Sequence, residues 1–79
     1  MEEEKEAWVY FVEILINQGR YDEADSACNS ALKVDINFKE AWYYYGLNYY
    51  KQSKYNESIK ACRKALELDV DYASAWLCL

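Results

Sequence analysis

The chain carries carboxylates and thiols but no imidazole. Without histidine it lacks the commonest general base near neutral pH and the commonest metal ligand. The densest acidic run is Glu2-Glu3-Glu4. At the start of a helix such carboxylates complement the positive end of the backbone dipole, a structural role. Cys28, Cys62 and Cys78 are an odd number at wide spacing, which matches neither a disulfide framework nor a zinc site. Free thiols in a reducing cytosol are expected, hence a cytoplasmic protein. Cys28 and Cys62 read as small core residues and not as nucleophiles. No glycine-rich phosphate loop is present, and Asn56-Glu57-Ser58, formally a glycosylation sequon, falls at a helix start. These residues predict no catalytic group, no metal and no cofactor.

What remains is suited to binding. Nine tyrosines and three tryptophans supply large packing surfaces. The net charge of −5 opposes nucleic acid, which calls for a basic face. That charge divides unevenly, −6 over residues 1–38 and +1 over residues 39–79. A solvated face is the plainer reading of the asymmetry, and head-to-tail contact between copies is the sharper one. No apolar run approaches the ~20 residues that span a bilayer, and Met1-Glu2-Glu3-Glu4-Lys5 does not open a signal peptide.

The elements that position these side chains are helices. There is no proline, and Gly19 and Gly46 are the only glycines. Apolar residues recur at three- and four-residue spacing. Trp8, Phe11, Val12 and Leu15 make one stripe, and Tyr21, Ala24, Ala27, Cys28, Ala31 and Leu32 a second. Trp42, Tyr45, Gly46 and Tyr49 make a third, and Tyr55, Ile59, Cys62, Ala65 and Leu66 a fourth. Each amphipathic segment must bury its stripe against a neighbour, and short connections make consecutive helices antiparallel. The spacing predicts helices over 3–18, 21–34, 38–52, 55–68 and 72–79. Gly19 suits the first turn, where Ser53 is its less suitable counterpart. Asn37 is expected to cap the third helix, with Glu40 completing a capping box, and Asp71 to cap the last.

Trp8, Trp42 and Trp76 stand 34 residues apart. Residues 5–38 laid on 39–72 agree at 13 of 34 positions, including Lys5/Lys39, Glu6/Glu40, Ala7/Ala41, Tyr10/Tyr44, Tyr21/Tyr55, Cys28/Cys62 and Asp35/Asp69. In the second copy the pattern reads Trp42-x-x-Tyr45-Gly46-x-x-Tyr49, then Tyr55, Ala65-Leu66 and Leu68-Asp69. With its 34-residue period it resembles the tetratricopeptide repeat family. The match has departures: Val12 stands at the glycine position of the first copy, Cys28 and Cys62 at an aromatic position, and Ile36 and Val70 where a proline usually closes the repeat. The resemblance implies an all-α fold of antiparallel helical hairpins stacked as a short right-handed α-solenoid. One domain, 1–79, would hold repeat 1 at 5–38, repeat 2 at 39–72 and a partial repeat 3 at 73–79. Trp8 and Trp42 are then core wedges between the helices of each hairpin.

The resemblance also implies a protein–protein interaction scaffold and not an enzyme. The first helix of each repeat would line a concave groove for a peptide or helix of a partner. By position the lining is Glu6, Val9, Glu13, Ile16 and Asn17, then Glu40, Tyr43, Leu47, Tyr50 and Lys51, with Ser74 and Leu77 from the third copy. The clamp by which some members grip a terminal carboxylate is absent: its positions hold Val9, Glu13, Tyr44, Ser74 and Cys78. A protein or peptide with an apolar or amphipathic segment is the expected partner, its basic side chains facing Glu6, Glu13 and Glu40. Nucleic acid and membrane are not expected. The apolar stretch at Ala75–Leu79 and the missing prolines raise an alternative: a homo-oligomer, formed by hairpin exchange, in which another copy fills the groove and that end.

Overall fold

A computed structural model describes residues 2–72. Four helices follow one another: α1 (Glu2–Asn17), α2 (Tyr21–Val34), α3 (Lys39–Lys51) and α4 (Tyr55–Leu68). They lie within a residue or so of the spans that the apolar spacing predicts. No strand occurs among the described residues. The predicted fifth helix, the partial third repeat and Leu77 lie outside the described residues. No described helix is long and apolar enough to cross a membrane.

Both hairpins turn by the same device. After α1, Gly19 N–H donates to the Ile16 carbonyl and Arg20 N–H to that of Leu15. After α3, Ser53 and Lys54 repeat the pair onto Tyr50 and Tyr49. This two-bond closure needs a left-handed residue at its centre. Gly19 adopts it at φ 75° and Ser53 at φ 62°.

The junction between repeats departs from the sequence expectation. Phe38, not Asn37, precedes α3, and no side chain caps that helix. The Asn37 N–H instead donates to Asp35 Oδ1 at 3.0 Å, and the Asp71 N–H donates to Asp69 Oδ1 at 3.1 Å. The other oxygen of each aspartate receives a lysine from the start of its own repeat, Lys5 to Asp35 at 3.1 Å and Lys39 to Asp69. Each ammonium also stands over a ring, Lys5 over Phe38 at 5.1 Å and Lys39 over Tyr72 at 5.3 Å. This lysine–aspartate–aromatic buckle occupies the place of the absent proline.

The core runs between the hairpins. Val12, Leu15, Ile16, Ala24 and Cys28 form one buried cluster, against which Tyr44, Tyr45 and Leu47 of α3 pack. Leu32, Phe38 and Ala41 form a second, joined by Trp8, Val9 and Trp42. Trp8 wedges against α2 as expected, its indole N–H donating to the Ala27 carbonyl at 3.3 Å. Trp42 instead donates back into the junction, to the Ile36 carbonyl at 2.8 Å. In the second hairpin α3 and α4 approach closely because Gly46 has no side chain: a Cβ there would meet Cys62 Sγ at 2.5 Å and the Ser58 carbonyl at 3.1 Å.

One stripe is rotated from its predicted place. Ile16, expected in the groove, is 3% exposed and belongs to the core; Phe11, expected in the core, is 54% exposed. Trp8, Val12, Leu15 and Ile16 form a continuous arc at helical spacing, and this arc, not Phe11, turns toward α2 and α3. Asn48 was not anticipated as a core residue, yet it is fully buried, its amide donating to the Tyr21 carbonyl at 3.1 Å.

Candidate functional site

The first helix of each repeat contributes one wall of an open cleft of about 680 Å³. From α1 come Glu6, Val9, Tyr10 and Glu13, and from α3 come Glu40 and Tyr44. Lys5, Asn37, Phe38 and Lys39 close it at the junction. The 34-residue repeat generates this arrangement directly, since Glu6/Glu40, Tyr10/Tyr44 and Lys5/Lys39 are matched pairs on equivalent helices.

The cleft is polar and acidic in effect. Its two lysines are held by Asp35 and Asp69, whereas no ion pair among the described residues uses Glu6, Glu13 or Glu40. The carboxylates act on the tyrosines beside them. Burial pushes the Tyr44 hydroxyl above its ordinary value, and the charges of Glu13 and Glu40 push it further. Tyr43 is raised in the same way, by burial and then by Glu13. The tyrosines therefore stay protonated at neutral pH and keep both a donor and a ring face. Raised carboxylate potential beside ring faces favours a cation over an anion.

Of the predicted groove residues, Glu6, Val9, Glu13 and Glu40 line this cleft. Val9 is half-buried and also packs against the Leu32–Phe38–Ala41 cluster. Ile16 is in the core, because it continues the Val12–Leu15 arc. Leu47 is half-buried against that same cluster. Tyr43 packs edge-on to Tyr44 at 4.9 Å and to Tyr72 at 5.6 Å and is not part of the cleft lining. Tyr50 is exposed at the far end of α3, edge-on to Tyr55 at 5.6 Å. Asn17 and Lys51 end their helices and are exposed there, away from the cleft lining. Sequence reasoning missed Tyr10, Tyr44, Lys5 and Lys39. Their signal was present: all four are conspicuous as identical pairs in the repeat alignment.

The thiols divide. Cys28 is free and fully buried, and burial, with Asp25 as a lesser cause, pushes its pKa up to about 12. Such a thiol is inert, as its core position predicts. Cys62 is also buried but is disulfide-bonded, which corrects the expectation of free thiols and removes that support for a reducing compartment.

The geometry agrees with comparison to known families. Residues 6–37 match one tetratricopeptide repeat model and residues 39–72 another. A search of curated proteins gives no match.

Proposed function

Because the chain belongs to the tetratricopeptide repeat family, whose repeats generally mediate protein–protein interaction, we propose that its α1–α3 cleft receives an amphipathic segment of a partner protein that carries basic side chains. The observation that carries this reading is the pairing pattern in the cleft. Both lysines are tied to aspartates while Glu6, Glu13 and Glu40 stay open beside Tyr10 and Tyr44. A partner lysine or arginine gains a carboxylate and a ring face together, and its apolar positions meet Val9 and the ring edges. Charge pairs of this exposed kind set orientation and encounter rate more than affinity.

The test is direct. A short fluorescent Leu/Lys amphipathic peptide is titrated into the protein and compared with its Leu/Glu counterpart. Saturable binding of the basic peptide alone is expected. Glu13→Lys and Tyr44→Ala should each weaken it by about tenfold, or ~1.4 kcal/mol, with helicity unchanged. Glu57→Lys, on α4 and away from the cleft, should leave it unaltered. Equal binding of both peptides, or indifference to Glu13→Lys, would refute the reading.

A further inference from the structure

The protein seats its own cleft lysines in one way. At Lys5 and again at Lys39, one aspartate oxygen receives the ammonium and a backbone N–H takes the other oxygen. A single ring stands beside each charge. One free carboxylate oxygen and one ring suit an ammonium, which is a compact point charge.

Glu13 and Glu40 are arranged differently. Glu13 lines the α1–α3 cleft from one wall and Glu40 from the other, with Tyr44 one turn beyond Glu40 on α3. Burial first, and then the charges of Glu13 and Glu40, raise the Tyr44 hydroxyl, so carboxylates of both walls converge on one tyrosine. Neither carboxylate forms an ion pair or accepts a side-chain hydrogen bond among the described residues. Glu40 and Tyr44 are half-buried.

Three properties of this place distinguish between cations. It is partly withdrawn from water, which penalises a strongly hydrated ammonium more than a weakly hydrated guanidinium. It offers open carboxylates from two directions, which match the fixed fork of N–H donors on a guanidinium. It also sets a ring beside both carboxylates, so a planar cation can stack on the ring while its edge donates outward.

We propose that the cation selected by this cleft is arginine: a guanidinium of the partner segment stacks on Tyr44 and donates to Glu13 on one wall and to Glu40 on the other. This selectivity presupposes that the cleft receives a basic segment at all. Tyr44 and Glu40 are then the pair that determines which basic residue is read.

Fluorescence titration of the intact chain tests it. A Leu/Lys amphipathic peptide is compared with the same peptide carrying arginine at every lysine position. The arginine peptide is expected to bind about tenfold tighter. Tyr44→Phe keeps the ring and should keep that ratio, whereas Tyr44→Leu and Glu40→Gln should each reduce it to about twofold. Circular dichroism checks that each variant keeps its helicity. Equal affinities of the two peptides, with binding still weakened by Glu13→Lys, would overturn the arginine selectivity and leave the cleft as a site for basic segments. An arginine preference that survives both Tyr44→Leu and Glu40→Gln would also overturn it, because the guanidinium would then be read elsewhere. Binding of neither peptide would overturn the cleft as a binding site and the selectivity with it.

Discussion

The Lys5 ammonium donates to Asp35 Oδ2 at 3.1 Å, thirty residues along the chain, and Lys39 repeats the bond to Asp69. Each aspartate binds the lysine with one oxygen and a backbone N–H with the other. A repeat that lacks a proline thus closes by a bond between its own first helix and its own last turn. The device also ties up the two lysines at the cleft, and no ion pair among the described residues uses the carboxylates that line it.

The buckles make a prediction about acid. Asp35 and Asp69 sit below the ordinary value of 3.8, first because the lysine donates to the ionised carboxylate and then because a backbone N–H does so too. A depressed folded value gives stabilisation that is complete above 3.8 and is lost as pH falls through the folded value. Seen from the other partner of the second buckle, Lys39 is raised above 10.5 by Asp69, so that same bond is lost at high pH as its folded value is passed. Melting followed by circular dichroism should therefore show a falling Tm as pH drops below about 4. The double variant Asp35→Asn, Asp69→Asn should show a shallower acid fall. Identical acid slopes would mean that the buckles contribute nothing.

Ser53 holds a left-handed backbone that glycine holds at the equivalent Gly19. A side chain in that region costs about 1 kcal/mol or somewhat more. Ser53→Gly should stabilise the chain by about 1 kcal/mol, and Gly19→Ala should destabilise it by a similar amount. Nothing lies near a Cβ at Gly19, so the loss there would report backbone strain alone. Urea midpoints at constant m-value would measure both.

Gly46→Ala sets two effects against each other. Alanine favours the helix by about 1 kcal/mol over glycine. Its methyl, however, would stand 2.5 Å from Cys62 Sγ and 3.1 Å from a backbone oxygen, neither of which is the end of a flexible side chain. Overpacking of this severity costs roughly 3 kcal/mol. A net loss of about 2 kcal/mol is expected by urea unfolding, and a gain would mean that α4 can slide away from α3.

Ile16 and Tyr50 occupy equivalent positions in the two repeats but differ in burial, 3% against 49% exposed. Ile16→Ala should cost about 2–5 kcal/mol by creating a cavity. Tyr50→Ala should cost well under that, since its ring is half in water against Tyr55. Comparable losses at both sites would mean that α3 is rotated from the orientation described.

The period of 34 and the apolar spacing were sufficient for four helices, their approximate ends and their pairing into hairpins. They were sufficient because these are local properties: a stripe at helical spacing must be buried by something, and a short turn leaves only the next helix to bury it. Glu6 and Glu40 were legible as cleft-lining positions for the same reason, since they are matched polar positions on one repeated face. What the stripe does not state is which of two flanking apolar residues it excludes. Phe11 and Tyr45 share a repeat position, yet Phe11 lies open while Tyr45 bonds to Asn29 of α2. Ile14 and Asn48 share another, and there the polar residue is the buried one. Burial at these positions depends on the helix packed against them from the neighbouring repeat, and α1 has no such neighbour among the described residues. The repeat and its hairpins thus belong to the sequence alone, whereas the choice of core and surface along α1 was decided by tertiary packing.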